Sequence, residues 1–292
     1  MEWKKRVAFT GHSSPVYACV ADQEFIYSTA GDRFVTRWNL ETGLQDPFAV
    51  KLDSPAYALG LTEKLLIIGC TNGTVIAIDR EAKSLVWEHN FLGKAIFSFA
   101  DHPAEHQFIL GDTEGNLLVV DYSGSLLTSF LLDCGKIRQL KRFDNKLFAA
   151  CQDGTWKQFE LPTFNELQSI HAHEGGVTAL TCFPSSHTLL TGGKDAYLRL
   201  WDLVTGKELR AVPAHYQTIY GIEQLSSGRE LVTVSMDKTI KIWDEESLRV
   251  KQRIEFRQQG HNRSVNGCIT VTDNLFVSFS DDKQVIVWEN VN

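Results

Sequence analysis

Histidine pairs are the first residues in this chain whose type and spacing could bind a metal ion. His102 and His106 are four residues apart, and this spacing would place two imidazoles on one face of a helix, as in zinc sites. Pro103 and the strand-like alternation on either side place this pair in a turn instead. His171 and His173 alternate along the end of a predicted strand. We therefore predict no metal site at these histidines.

Nucleophilic catalysis is the second chemistry to consider, because a hydroxyl residue, a His and an Asp occur together in four parts of the sequence. In each part the Ser or Thr lies four positions before the Asp, and the His lies 20 to 22 positions before it. A catalytic nucleophile needs an exposed oxygen beside an oxyanion hole. The sequence signals neither feature, so we predict no catalytic residue.

The six cysteines lie within apolar runs and form no CxxC pair. They are Cys19, Cys70, Cys134, Cys151, Cys182 and Cys268. Scattered cysteines of this kind are typical of small buried hydrophobic residues, and a disulfide or a metal site is the less favoured interpretation.

Charge and hydropathy exclude several classes of partner. The 292 residues include 29 Lys and Arg against 36 Asp and Glu, a net charge of −7 without a basic stripe, so we expect no nucleic-acid partner. The longest uncharged apolar stretch, residues 65–70, is far below the roughly 20 residues of a membrane helix. No apolar segment follows the basic residues near the start. We expect a cytoplasmic protein that does not bind membranes.

The elements that must position these residues are short strands in a sevenfold repeat. Residues 34–39, 196–202, 239–244 and 284–289 each alternate apolar and polar side chains around a Trp, which is the period of a strand. Three further copies close at Ile78, Val120 and Phe159 after Asn-Gly, Glu-Gly and Asp-Gly turns. From Trp38 the successive spacings are 40, 42, 39, 42, 42 and 45 residues.

Each repeat has room for four strands. In the fifth we predict strands at 177–182, 188–193, 198–202 and 207–212, with turns at 184–186, 194–195 and 205–206. So small a sheet cannot bury both faces alone, whereas seven sheets packed radially can. We therefore predict an all-β fold with one domain over residues 1–292, a seven-bladed β-propeller of four-stranded antiparallel blades.

The repeats resemble the WD40 family, which has a period of about 40–45 residues, a Gly-His opening and a Trp-Asp close. The openings here are Gly11-His12, Ala172-His173, Ala214-His215 and Gly260-His261. In the family, a His, a Ser or Thr, an Asp and the Trp form a structural hydrogen-bonded tetrad. The resemblance implies four tetrads: His12, Ser28, Asp32 and Trp38; His173, Thr191, Asp195 and Trp201; His215, Thr233, Asp237 and Trp243; and His261, Ser278, Asp282 and Trp288.

Repeats 2 to 4 depart from this pattern. The hydroxyl, Asp and Trp positions hold Ile68, Asn72 and Ile78 in repeat 2, Leu110, Glu114 and Val120 in repeat 3, and Ala149, Asp153 and Phe159 in repeat 4. We expect these blades to depend on packing and tight turns. Repeat 2 also resembles the quinoprotein-like propeller repeat.

The last repeat has no residues left for a fourth strand. Residues 3–10 precede the first Gly-His opening, so we predict that this N-terminal strand joins the last blade and closes the ring.

The resemblance also implies a partner-binding position on each innermost strand, facing the mouth of the central channel. The residues at this position are Tyr17, Tyr57, Phe97, Arg138, Thr178, Tyr220 and Asn266. A rim would be formed by Thr71, Thr113, Gln152, Lys194 and Met236. Tyr and Arg are enriched in binding hot spots. The alternative is that the aromatic rings only fill contacts between blades.

We expect a non-catalytic scaffold without a cofactor, a monomer by itself, that docks a protein or peptide at the channel mouth. The partner segment would be acidic to neutral, would carry a basic or amide side chain, and would contact Tyr17, Tyr57, Phe97, Tyr220 and Arg138. Two alternatives stay open. One is a cofactor-binding or enzymatic propeller of the quinoprotein kind, and the other is an obligate structural subunit of a fixed complex.

Overall fold

A computed structural model describes residues 2–91, 93–183, 186–225 and 229–291. The predicted turn residues Pro184 and Ser185 lie outside these ranges.

Strands and one-turn 3₁₀ helices make up the secondary structure of the described ranges. The first strands are β1 (Glu2–Thr10), β2 (Val16–Ala21), β3 (Phe25–Ala30), β4 (Phe34–Asn39), β5 (Gln45–Lys51), β6 (Ala56–Leu61), β7 (Leu65–Cys70), β8 (Thr74–Asp79) and β9 (Ser84–Asn90). They are followed by β10 (Ile96–His102), β11 (Gln107–Asp112), β12 (Asn116–Asp121), β13 (Leu126–Leu131), β14 (Ile137–Phe143), β15 (Lys146–Cys151), β16 (Thr155–Glu160) and β17 (Glu166–His171). The remaining strands are β18 (Val177–Phe183), β19 (Thr188–Gly193), β20 (Tyr197–Asp202), β21 (Glu208–Pro213), β22 (Ile219–Leu225), β23 (Glu230–Ser235), β24 (Ile240–Asp244), β25 (Val250–Ile254), β26 (Val265–Thr272), β27 (Leu275–Ser280) and β28 (Gln284–Val291). Two 3₁₀ helices span Pro103–Glu105 and Phe256–Gln258, and none of the helices in these ranges is long and apolar enough to cross a membrane.

Within the described ranges the strands form seven four-stranded sheets, here called blades 1 to 7 in chain order. Blade 1 begins at β2, and blade 7 has the order β1-β28-β27-β26. The predicted seven-bladed β-propeller is confirmed. Of the eight strand ends predicted for blade 5, four coincide with the observed ends and four differ by one residue.

The chain divides into two compact units. One unit comprises Met1–Pro55 and Val212–Asn292 and contains blades 1, 6 and 7, whereas the other comprises Ala56–Ala211 and contains blades 2 to 5.

Burial within a blade follows the order of its strands. All six residues of β7 are buried, and its near-continuous apolar sequence suits a strand that is covered on both faces. By contrast, all six residues of the outer strand β13 are exposed. Core side chains therefore come mainly from the inner three strands, as in the cluster that Phe108, Leu110 and Leu118 form with Val75.

The predicted closure by the N-terminal strand is confirmed. β1 pairs with β28 in antiparallel register, with Trp3 opposite Asn290. The buried Trp3 ring lies 4.9 Å from the Phe276 ring, and its indole Nε1 donates a hydrogen bond of 3.0 Å to Glu230 Oε2 in blade 6. Gln252 adds a reciprocal pair of hydrogen bonds to the Trp3 backbone, at 2.9 and 2.8 Å. β1 is thus fixed to blades 6 and 7 of its own unit.

Candidate interaction site

Each of blades 1, 5, 6 and 7 contains a hydrogen-bonded chain of four side chains. In blade 5, His173 Nδ1 lies 2.8 Å from Asp195 Oδ1, and His173 Nε2 lies 2.8 Å from Thr191 Oγ1. The Trp201 indole Nε1 donates to the same hydroxyl at 2.9 Å. The Thr191 hydroxyl is therefore occupied by two partners inside the blade and does not face a substrate.

The corresponding distances in the other three blades are similar. The His to Asp distances are 3.0 Å for His12 and Asp32, 3.1 Å for His215 and Asp237, and 2.9 Å for His261 and Asp282. The His to hydroxyl distances are 2.8 Å at Ser28, 2.7 Å at Thr233 and 2.8 Å at Ser278. The Trp to hydroxyl distances are 2.7 Å from Trp38, 2.8 Å from Trp243 and 2.8 Å from Trp288.

Burial and charge perturb the ionisable groups of these chains. Burial alone would raise the pKa of Asp195, Asp237 and Asp282, but the hydrogen bond and charge of the neighbouring imidazole hold each carboxyl pKa below its ordinary value. Burial lowers the pKa of His215, and the positive charges of Lys241 and Arg253 lower it further. The ionisable groups of each tetrad thus interact with partners inside their own blade. Such interactions hold the loop that carries the His against the sheet.

Blades 2 to 4 fill the same positions with apolar side chains. Ile68, Leu110 and Ala149 are fully buried where the other blades have a hydroxyl. In blade 3 the carboxylate of Asp112, also fully buried, accepts backbone hydrogen bonds of 2.8 Å from both Glu114 and Asn116. Asp112 thus organises the turn from a position that the repeat alignment did not single out.

Three of the predicted partner-binding residues come together in the unit of blades 2 to 5. The Tyr57 and Phe97 rings are 4.7 Å apart, and the Arg138 guanidinium lies 6.0 Å from the Phe97 ring. Lys136 joins them, because its Nζ lies 3.9 Å from the centre of the Phe97 ring. All four side chains are partly exposed. We call Tyr57, Phe97, Lys136 and Arg138 the aromatic–basic cluster.

The repeat alignment does not single out Lys136, because it assigns only one partner-binding position to each inner strand. The signal for Lys136 was its position just before β14, two residues from Arg138 and next to the buried Ile137. Burial lowers the pKa of Lys136, and the positive charges of Arg138 and Lys194 lower it further.

The other four predicted residues have different surroundings. Thr178 is buried, and its hydroxyl donates to the Gly192 carbonyl at 3.1 Å. Asn266 Nδ2 donates to the Val16 carbonyl at 2.9 Å and to Asp281 Oδ1 at 2.7 Å, and so ties β26 to β2. Tyr220 Oη lies 3.8 Å from the Met236 sulfur. The partly exposed Tyr17 packs against Gly31, where an added Cβ would lie 3.2 Å from its hydroxyl.

The histidines and cysteines considered as metal ligands or reactive thiols contact groups of the protein's own fold. His102 Nδ1 lies 3.1 Å from Gln107 Nε2, and His106 ends the 3₁₀ turn in a left-handed conformation. Across the described residues, no group of three or more His, Cys, Asp or Glu side chains could hold a metal ion. All six cysteines lie within the described ranges, are buried and form no disulfide bond.

Comparison with known proteins identifies the repeat family. The sequence profile described as "WD domain, G-beta repeat" matches residues 164–202, 206–244 and 252–289, which include the His, hydroxyl, Asp and Trp residues of blades 5, 6 and 7. A search of curated proteins gives no match. Propellers of this family generally serve as non-enzymatic platforms for binding other proteins. The protein is thus a seven-bladed β-propeller in which residues 164–202, 206–244 and 252–289 are WD40 repeats.

Proposed function

We propose that this protein is a non-catalytic scaffold that binds a protein or peptide segment at the aromatic–basic cluster. The observation that carries the proposal is the contact between the tilted Tyr57 and Phe97 rings with two cations beside it, at the inner strands of blades 2 and 3 and the start of β14 in blade 4. Large amphipathic rings and arginine contribute most to binding energy when a partner covers them.

The exposure of the cluster supports a binding role over simple filling of the space between blades. Ile96 and Ile137, the inner-strand residues next to Phe97 and Arg138, are fully buried and already provide the packing. Phe97 and Arg138 themselves stay partly exposed. A partner that covers them would remove further apolar surface from water. This burial contributes a favourable binding free energy of about 25 cal/mol per Å².

The charges of the cluster define the partner. Lys136, Arg138 and the exposed Lys194 are close enough for their charges to interact. A basic side chain of a partner would be repelled here, so the charges favour the acidic or amide-bearing form of the expected segment. The six buried cysteines of the described ranges form no disulfide bond, which fits a reducing compartment, and a cytoplasmic monomer is part of the same proposal.

The experiment is affinity capture with the double variant Tyr57→Ala/Arg138→Ala, followed by identification of the captured chains. We expect at least one chain to be captured about tenfold less than by the wild type, equivalent to about 1.4 kcal/mol. The double variant should unfold at nearly the wild-type temperature, because both side chains are partly exposed.

A matched control is the double variant Tyr197→Ala/Arg249→Ala, which removes a Tyr and an Arg that are exposed and lie outside the cluster. This control should capture the same chains as the wild type. An identical set of captured chains for both double variants would contradict the proposed docking position.

A further inference from the structure

The connection from β25 to β26 differs from the other connections between successive blades. It comprises ten residues, 255–264, whereas the connection from β21 to β22 comprises five, 214–218. The additional residues form the one-turn 3₁₀ helix Phe256–Gln258 and a tight return to His261 of the blade 7 tetrad. We call residues 255–260 the inserted loop.

The inserted loop is held in one conformation by its own hydrogen bonds. Glu255 donates its backbone N–H to Gln258 Oε1 at 3.1 Å, and Gly260 donates its N–H to the Glu255 carbonyl at 2.9 Å. A Cβ at position 260 would lie only 2.8 Å from that carbonyl oxygen, so glycine is required for this close approach. A surface built on this loop is therefore preorganised, which reduces the ordering cost of binding.

The inserted loop and the turn between β23 and β24 enclose a cavity of about 420 Å³ within the unit of blades 1, 6 and 7. Such a volume is in the range of ligand sites. Its lining residues are Asp237, Lys238, Thr239, Arg253, Glu255, Phe256, Arg257, His261 and Asn262. We call this cavity the blade 6 groove, and none of the seven predicted partner-binding residues lines it.

The charges of the blade 6 groove are unbalanced. Asp237 is engaged by His215, the Tyr216 backbone N–H and Thr239, and Glu255 Oε1 lies 2.6 Å from Arg253 Nε. Within the described ranges, neither Lys238 nor Arg257 lies in an ion pair. Both acidic groups of the lining are thus already engaged by internal partners, while the exposed Lys238 and Arg257 side chains remain available to a ligand.

Large exposed rings lie beside these cations. Phe256 is 66% exposed and lines the groove, and Tyr216 is 82% exposed. The Arg253 guanidinium lies 6.0 Å from the Tyr216 ring, so this tyrosine is at the edge of the same surface. An aromatic side chain exposed to this degree loses much unfavourable contact with water when a ligand covers it.

We propose that the blade 6 groove binds a short acidic peptide segment that carries one large apolar side chain. Carboxylates of the segment pair with Lys238 and Arg257, and the apolar side chain packs on Phe256. A protein segment fits better than a nucleic acid, since two available cations are far fewer than the roughly 6–10 phosphate contacts of a typical nucleic-acid interface. This site is additional to the aromatic–basic cluster and lies in the other unit.

The test is fluorescence anisotropy with the full protein and three labelled decapeptides at low salt. The first peptide alternates glutamate and glycine around a central leucine. In the second, glutamine replaces every glutamate, and in the third, glycine replaces the leucine. We expect the first peptide to bind about tenfold more tightly than either of the other two, and its affinity to fall as salt is added.

The variant Lys238→Ala/Arg257→Ala should lose about tenfold in affinity for the first peptide. Its matched control is Lys283→Ala/Arg249→Ala. Lys283 follows the tetrad Asp of blade 7 with a φ of 72°, as Lys238 follows Asp237 in blade 6 with a φ of 73°, and neither Lys283 nor Arg249 lines the groove. The control should bind like the wild type. All substituted residues are exposed, so both variants should fold.

Equal binding of the glutamate and glutamine peptides would overturn the proposal, as would unchanged affinity of the Lys238→Ala/Arg257→Ala variant. A thymidine 20-mer that bound more tightly than the first peptide, and lost affinity in the same variant, would also overturn it in favour of a nucleic acid.

Discussion

Two groups of blades form the same kind of four-stranded sheet but are stabilised by different interactions. The first group is blades 1, 5, 6 and 7, and the second is blades 2, 3 and 4. In the first group a buried hydroxyl such as Thr191 joins an imidazole to an indole. In the second group a fully buried apolar side chain such as Leu110 occupies the same place. A hydrogen-bonded chain needs every partner, because a buried polar group without one is costly. Apolar packing accepts many residue types of suitable volume.

Detection of the repeats follows this difference only in part, because blade 1 contains a complete tetrad and yet lies outside the matched segments. The family profile matches three segments that each contain a complete tetrad. It matches none of residues 56–160, where packed apolar side chains take the place of the tetrads. A polar network restricts the sequence at fixed spacings, whereas packing restricts only volume and hydrophobicity.

The largest expected effect comes from removing the strand that completes blade 7. Deletion of residues 2–10 removes the buried Trp3 and Phe9 side chains and all pairing with β28. Loss of each buried ring costs about 3–5 kcal/mol, so we expect the free energy of unfolding in urea to fall by more than about 5 kcal/mol. Lys4→Ala in the same strand is the control, since the Lys4 side chain is 58% exposed. Unchanged stability after the deletion would show that the tetrad holds blade 7 together without its outer strand.

The second prediction compares the Asp position of the two groups. Asp282, with a side chain 3% exposed, accepts hydrogen bonds from His261 and from the backbone of Asn262 and Gln284. Asp282→Ala should cost about 3 kcal/mol, because it leaves buried donors without a partner. Asp153→Ala should cost about 1 kcal/mol, since Asp153 is exposed and its carboxylate accepts hydrogen bonds from Thr155 in the same turn. Equal losses in urea denaturation would remove the distinction between the groups.

The third prediction exchanges the residue types at the hydroxyl position, with a hydroxyl placed in blade 3 and an apolar side chain placed in blade 5. Leu110→Thr should cost about 2 kcal/mol, because it places a hydroxyl in a site lined by apolar residues such as Phe108 and Leu118. Thr191→Val should cost a similar amount, about 2 kcal/mol, because it leaves the Trp201 indole and His173 without their shared partner. Thermal unfolding of both variants is the measurement, and a neutral Leu110→Thr would mean that blade 3 tolerates a polar core.

The smallest expected effect is a pH dependence that belongs to the tetrad blades. The folded-state pKa of His215 is below its ordinary value. The unfolded chain therefore binds a proton first, and the stability contributed by neutral His215 is present above about pH 6.5 and lost as the pH falls toward its folded pKa. Urea denaturation between pH 7.5 and 5 should show this loss, and His215→Gln should reduce its slope. An equal slope in the variant would assign the dependence to other groups.

The strands were predictable because the two sequence features that define them, alternation of apolar and polar residues and turn residues, are local. Alternation of apolar and polar residues marked the third strand of a blade, such as β20. In blades that lack the closing Trp, a Gly-containing turn marked the place where this third strand begins. The site was predictable only in part, because the side-chain partners come from neighbouring blades. The bond from Asn266 to the Val16 carbonyl joins residues 250 positions apart, and the contact of Lys136 with Phe97 joins two blades. No local spacing encodes such pairs.

The pairing of β1 with β28 also has a kinetic consequence. Nearly all of the described residues lie between β1 and β28, so at a synthesis rate of about 5–20 residues per second the ribosome makes β1 roughly 15 to 60 seconds before β28. During that interval the apolar face of β1 has no strand to cover it, and the loop that must close spans nearly the whole chain. Blade 7 is therefore the last of the seven described blades to be completed, and the edge of β1 stays unpaired until β28 has been made.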